Sequence, residues 1–298
     1  MRFVDFFVKP LEFIGKHLKA LVFLLVLVLI FMPKQETILE EANLARIDLY
    51  GTILQSDTFL QELELLEENP KLKGILLVID SPGGAIAPSI EISEAIKRLN
   101  AKIPVIVYAQ GSMASGSYLA GVWADSIVAN RGALLGSIGV IINGADISEL
   151  ADKLGIKPQT IKAGIYKEAG TLMRPWNKDE EQMLEDLVQE QYWMFVEEVA
   201  NARKLDVAQE PNFGQGRILS AKGALELGLV DRVGSIYDAQ ILLFEKANVL
   251  EPKWLKKEKD KIEVYLEKIF GEKIALGIQN GIVKGLEQFS KVFAKGSV

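Results

Sequence analysis

Gly74–Asp80 reads GILLVID and runs directly into Ser81–Gly84, SPGG. A short apolar run closed by a turn signal predicts a buried parallel strand followed by a tight turn. Working outward, Ile86–Leu99 predicts a helix that turns Ile90, Ala95, Ile96 and Leu99 inward. Pro104–Ala109 (PVIVYA) predicts a second buried strand, Tyr118–Trp123 a helix behind it, and Ser126–Ala129 a third strand. Ile138–Ile142 is strand-like and Ile147–Leu154 helical. Asn177–Lys204 predicts a long amphipathic helix whose stripe of Leu184, Val188, Tyr192, Phe195 and Val199 reads as core packing. Ser220 can cap a helix that Gly228 ends, and ALELGLVDRVGS leads from it into a last strand. Strands alternating with helices predict an α/β domain with a largely parallel sheet.

The chain has 298 residues, 49% of them hydrophobic and 25% charged, enough for one large domain with an appendage or two small ones. A net charge of −6 argues against a nucleic-acid partner. Cysteine is absent, which excludes disulfides and thiolate catalysis. The sole histidine, His17, lies in the leader, so nothing downstream supplies the imidazole of a Ser–His–Asp triad. A zinc site would need carboxylates alone, an unusual ligand set. A hydrolase built on this chain takes its base from Lys, Asp or Glu, and needs no cofactor.

Ala20–Met32 (ALVFLLVLVLIFM) carries no charge and is followed by Pro33. A spanning helix takes about 20 apolar residues, so Lys16, Lys19 and Lys34 would snorkel at its ends. A secretory signal has a similar apolar length, but MPKQETILEEANL offers no small-x-small cleavage site, which favours an uncleaved signal anchor. Arg2, Lys9, Lys16 and Lys19 precede the segment while Glu36, Glu40 and Glu41 follow it. This asymmetry predicts a cytoplasmic N-terminus and an extracytoplasmic remainder, at the cell's inner (plasma) membrane. Phe3, Phe6, Phe7, Leu11 and Ile14 give the leader either an interfacial face or a loose tail. The expected organisation is a leader (1–19), an anchor (20–33), a linker (34–45), a catalytic domain (46–250) and a Lys/Glu-rich C-terminal appendage (251–298), helical or solvated.

Three pieces carry candidate chemistry. Asp80-Ser81-Pro82-Gly83-Gly84 is either a plain turn or one whose glycines let backbone N–H groups approach a ligand, as an oxyanion hole requires. Gly111–Tyr118 (GSMASGSY) lies between a strand and a helix of small residues, where a serine either caps the helix or is exposed as a nucleophile. Lys167, in KAGIYKEAG, is either a solvated lysine or a base, and a lysine acts as a base only when neutral.

Together these pieces resemble signal peptide peptidase A, a family of Ser–Lys serine proteases with the Clp-protease/crotonase fold. The resemblance runs from Gly74 to Asp238 with the pieces in the family's order. SPGG looks like the oxyanion turn, which implies donors at Gly84, Gly83 and Gly116. ASGSYLAGVWADSIVAN is similar to the nucleophile helix and following strand, which puts the nucleophile at Ser115. LLGSIGVI resembles the turn whose serine helps hold the lysine, here Ser137. TIKAGIYKEAG is similar to the segment with the general base, here Lys167, and GRILSAKGALELGLVDRVGS to the C-terminal helix–strand signature. The Ser115–Lys167 spacing suits the short form of the family. The chain departs from the pattern at Ser117, where a second glycine usually stands, and at Thr171-Leu172, where many members have Ser-Pro. The stretch before Ser115 is also one small residue short, which leaves Ser112 as a rival nucleophile.

The resemblance implies a membrane-bound endopeptidase acting on hydrophobic peptides, remnant signal peptides among them, from a ring- or dome-shaped homo-oligomer. A related membrane Ser–Lys protease with another membrane-protein substrate, such as a stomatin-associated one, shares every one of these motifs. A crotonase-type acyl-CoA enzyme shares the fold but does not need the Ser115/Lys167 pair, and an inactive scaffold would show a broken one.

Overall fold

A computed structural model describes residues 42–255. In chain order it contains β1 (Leu44–Tyr50), α1 (Asp57–Glu67), β2 (Gly74–Ser81), α2 (Ile86–Asn100), β3 (Val105–Ala114) and α3 (Gly116–Gly121). These are followed by β4 (Ser126–Ala129), β5 (Leu134–Gly136), α4 (Ser148–Lys153), α5 (Lys178–Arg203) and α6 (Glu210–Phe213). The last are β6 (Ile218–Ser220), α7 (Ala221–Glu226), β7 (Arg232–Val233) and α8 (Ile236–Lys246). Strands β1-β2-β3-β4-β7 pair in that order, all parallel. β5 lies parallel to the end of β3 and antiparallel to β6.

The unbroken apolar run of β2 has a direct cause. Its alternate side chains enter two cores, and both faces of the sheet are covered. Ile75, Leu77 and Ile79 join Ile92, Ile96, Tyr118, Phe195 and Val196 on one side. Leu76 and Val78 join Ile106, Tyr108, Val128 and Leu243 on the other. With no solvent face, no polar alternation is needed.

Helix α5 starts where the sequence predicts and is capped by Asn177. Asn177 Oδ1 accepts from the amides of Asp179 and Glu180, and the Glu180 carboxylate accepts from the Asn177 amide, a complete capping box. Lys204 ends the helix in the left-handed region. Tyr192, Phe195 and Val199 of the predicted stripe are buried, whereas Leu184 and Val188, nearer the N-terminus, are only half-buried.

Two expectations change. Ile138–Ile142 is not a strand. The Ile138 carbonyl accepts from the Gly216 amide at 2.8 Å, but beyond it no neighbouring strand among the described residues completes a ladder, and Ile141 and Ile142 are exposed. The domain also reaches past both expected boundaries. β1 starts at Leu44, and Lys253–Leu255 returns beside it through Leu44 N→Lys253 O (3.1 Å) and Leu255 N→Leu44 O (2.7 Å). The leader, the anchor, most of the linker and the rest of the appendage lie outside the described residues. Among the described residues, no helix is long and apolar enough to cross a membrane.

Candidate active site

β3 ends in a sharp elbow. Ser115 has φ 52° and ψ −127°, a conformation that a residue with a side chain adopts only where its surroundings enforce it. Enforcement comes from both sides. The Ser115 amide donates to Gly136 O of β5 at 2.8 Å, while Ser115 O accepts from Tyr118 and Leu119 as α3 begins. Tyr118, fully buried, donates from its hydroxyl to Leu229 O at 2.6 Å, and burial pushes its phenol pKa up, so it remains a donor.

Ser117, at the position where the family usually has glycine, is fully buried. Its hydroxyl accepts from Ala114 N (2.8 Å) and lies 2.7 Å from Ser81 O and 2.9 Å from Ala114 O, either of which can take its proton. The departure therefore adds a clamp between the elbow and the end of β2. Ser112 sits elsewhere, inside β3 and paired with Leu134. Its amide is bound by Asp80 Oδ1 at 2.9 Å, in an irregular stretch where a side chain at Gly111 would crowd the same carboxylate at 2.6 Å.

The SPGG turn packs against this elbow. Gly83 has φ +94°, and a Cβ there would stand 2.6 Å from Gly116 N and 2.9 Å from Ser115 Cβ. A Cβ at Gly84 would overlap the Ile53 carbonyl, and one at Gly116 the Ser89 hydroxyl. Close backbone approach thus requires glycine at 83 and 84, while Gly116 is confined by the buried Ser89 side chain. Their amides differ in use. Gly83 N donates to Ser81 Oγ at 3.1 Å and is committed. Gly84 N and Gly116 N donate to no acceptor among the described residues, and the Cβ direction of Gly116 points to within 3.2 Å of Gly84 N. Two unspent amides therefore lie beside one strained serine. A narrow cleft opens there, lined by Ile86, Leu119, Val140, Met194 and Phe195, with Ser115 and Gln191 as its polar side chains.

Ser137 follows the Gly136 carbonyl that holds Ser115. It has φ 50°, and its amide donates to Arg217 O at 2.8 Å. Lys167 is not brought to this cluster. It lies in an exposed turn, with its amide 3.3 Å from Gly164 O, and it does not line the cleft. The reason is the segment that carries it: Ile141, Ile142, Ile147, Leu150, Leu154, Ile156, Ile161 and Ile165 are all exposed. Nothing apolar within the described chain draws that segment down onto Ser115.

The family model described as Peptidase family S49 matches residues 97–250, just over half the chain. The chain belongs to peptidase family S49. A Methanocaldococcus jannaschii protein that bears the name of a protease is 38% identical over 231 residues, covering 76% of this chain and 71% of that one. The serine protease SPPA of Arabidopsis thaliana chloroplasts is 32% identical over 200 residues, covering 67% of this chain but 30% of its own length. A solved mutant of the membrane-bound stomatin-specific protease 1510-N shares the fold, with a TM-score of 0.50 at 16% identity over 72% of this chain and 97% of that one. This S49 chain is a serine protease of the signal peptide peptidase A type.

Around its lysine-bearing turn, the S49 protease has a charge network that the sequence reading did not single out. Arg174 grips Glu180 with its two terminal guanidinium nitrogens (2.8 and 2.7 Å) and reaches Glu168 at 3.2 Å. Glu168 also accepts from Lys162 Nζ (3.0 Å) and Thr160 Oγ1 (2.9 Å). The Arg174 hydrogen bonds, followed by the Asn177 amide, hold the Glu180 carboxyl down at about 2. Lys162, then Thr160 and Arg174, lower that of Glu168. The helix start at Asn177 was read from the sequence, but neither its capping box with Glu180 nor the partner three residues before the cap was.

Proposed function

We propose that this protease is a membrane-bound endopeptidase that cleaves hydrophobic peptides, signal-peptide remnants included, with Ser115 as nucleophile and Lys167 as general base. The observation that carries the reading is the strained elbow at Ser115 beside the unspent amides of Gly84 and Gly116. Neutral Lys167 takes the Ser115 proton, Oγ attacks the scissile carbonyl, and the developing oxyanion accepts from the two amides. A donor of this kind is typically worth about 3–4 kcal/mol in the transition state. Lys167 then protonates the leaving amine, and water, deprotonated by the same lysine, releases the acyl group from Ser115. Gly83 contributes the shape of the turn, since its amide is committed to Ser81. Ser137, next to the carbonyl that holds Ser115, orients the lysine.

Lys167 is exposed and does not line the cleft at Ser115 in the single chain, and on this reading the dyad closes on assembly of a homo-oligomer. The exposed isoleucines and leucines of the lysine-bearing segment support this reading, because another copy would cover them. Membrane attachment rests on the uncharged Ala20–Met32 segment and the basic residues before it. The apolar cleft beside Ser115 suits hydrophobic side chains.

The test is peptidase activity on hydrophobic peptides from about pH 6 to about pH 10, where a lysine base gives an alkaline rise. Wild type and Ser112→Ala should cut, while Ser115→Ala and Lys167→Ala should not. Undiminished cleavage by Lys167→Ala would remove the dyad from the account.

A further inference from the structure

The turn that carries the base is fixed by charge. Its apolar members, Ile161 and Ile165, are exposed, and the backbone bonds within it are short-range (Lys167 N→Gly164 O, Ala169 N→Tyr166 O and Thr171 N→Glu168 O), with its far end held by Ile147 N→Leu172 O (2.8 Å) and Trp176 Nε1→Thr171 O (2.9 Å). The tie to α5 runs through side chains. Glu180 is 1% exposed at the capped first turn of α5 and holds Arg174 by a two-pronged pair, and Arg174 holds Glu168. A fork of this kind fixes direction as well as distance.

Glu168 is the immediate sequence neighbour of Lys167. A carboxylate free to fold onto a lysine favours the ammonium form, which cannot accept a proton from serine. Here both oxygens are taken. Oε1 accepts from Thr160, and Oε2 accepts from Lys162 and Arg174. The groups facing Glu168 are thus Thr160 and Lys162 from the chain before the turn and Arg174 from the chain after it. Glu180 and Asn177 of α5 stand behind Arg174.

We propose that Arg174, together with Lys162, keeps the Glu168 carboxylate away from Lys167, so that Arg174 is a positioning residue that leaves the general base free to become neutral. This rests on the Ser115–Lys167 reading and adds to it a specific cause of base availability. Removal of Arg174 frees Glu168 to pair with its neighbour, and activity then requires a higher pH. Removal of the Glu168 charge as well takes away the competitor.

The experiment uses the full chain in detergent and follows kcat/KM on one hydrophobic peptide against pH for wild type, Arg174→Gln, Glu168→Gln, the Arg174→Gln/Glu168→Gln double variant and Lys167→Ala. Arg174→Gln should move the midpoint of the alkaline rise up by about one pH unit, about tenfold in rate on the rising limb, and approach wild type at the alkaline end. The double variant should return the midpoint to the wild-type position. Loss of activity by the same factor at every pH, or a double variant no better than Arg174→Gln, would overturn the proposal. If Arg174→Gln does not fold, Lys162→Gln leaves the Arg174–Glu180 pair intact and should give a smaller shift in the same direction. An unshifted profile there counts against the proposal. Wild-type activity in Lys167→Ala defeats the dyad reading itself, and this inference with it. An inactive Lys167→Ala beside an unshifted Arg174→Gln defeats the inference alone.

Discussion

The Ser117 hydroxyl lies 2.7 Å from the carbonyl oxygen of Ser81 and so fastens the Ser115 elbow to the SPGG turn across 36 residues of chain. Both residues are fully buried. A glycine at 117 would leave the Ala114 amide and the Ser81 carbonyl without this partner. Ser117→Ala should therefore cost about 1–3 kcal/mol, the penalty for buried polar groups left unsatisfied. Thermal unfolding of the two forms should show a Tm lower by several degrees. Because the clamp sets the elbow, kcat should fall with it while KM changes little.

Gly116→Ala places a methyl group on the Ser89 hydroxyl, next to one of the two unspent amides. A displaced donor should lower kcat by about 10²–10³. Ser89→Ala removes the obstructing oxygen, and the Ala85 carbonyl keeps the Ser89 amide as a donor at 3.3 Å. The Gly116→Ala/Ser89→Ala pair should then recover part of the loss. Steady-state kinetics on the three variants tests this, and a double variant as slow as Gly116→Ala would place the damage elsewhere.

The central strands β2, β3 and β4 were legible because they are buried on both faces, whereas the partly exposed β1, β5 and β6 went unread. Strands buried on both faces appear as uninterrupted runs, as GILLVID and PVIVYA do, and the cap Ser220 marks its helix in plain sequence. The elbow and turn were legible as motifs, although the role of Ser117 was not. A buried hydroxyl and a solvated one have the same letter, and only the fold brings the Ser81 and Ala114 backbone groups around the one at 117. The strand expected at Ile138–Ile142 failed because apolar content alone supplies no ladder partner. Arg174 was illegible because its worth depends on three carboxylate contacts made through the fold, and arginines are ordinarily solvated.

Acid should loosen the start of α5. The Glu180 carboxyl titrates at about 2 in the folded protein against about 4.5 for an ordinary glutamate, so between those values the unfolded chain binds more protons. The contribution is complete above about pH 4.5 and is lost as pH falls through about 2. Glu168 acts in the same direction. Glu180→Gln should lower Tm at neutral pH and flatten its dependence on pH in that acid window, which calorimetry at several pH values would show.

The buried Tyr192–Glu210 pair supports the far wall of the site. The Tyr192 hydroxyl donates to Glu210 and accepts from Gln215 N at 2.9 Å, and the next amide, Gly216 N, holds Ile138 O at 2.8 Å. Tyr192→Phe leaves a buried carboxylate and an amide short of a partner, at a cost of about 1–3 kcal/mol. Hydrogen exchange should quicken first at Gln215 and Gly216. Unchanged protection at both amides would mean that the pair does not hold this turn.

The claim that Ser115 is the nucleophile can be read directly from a covalent adduct. The full chain would be treated with a serine-directed fluorophosphonate and the modified peptide mapped by tandem mass spectrometry. The account predicts one adduct, on Ser115, absent from Ser115→Ala and retained in Ser112→Ala. An adduct on Ser112, or labelling of Ser115→Ala to the wild-type extent, would contradict it.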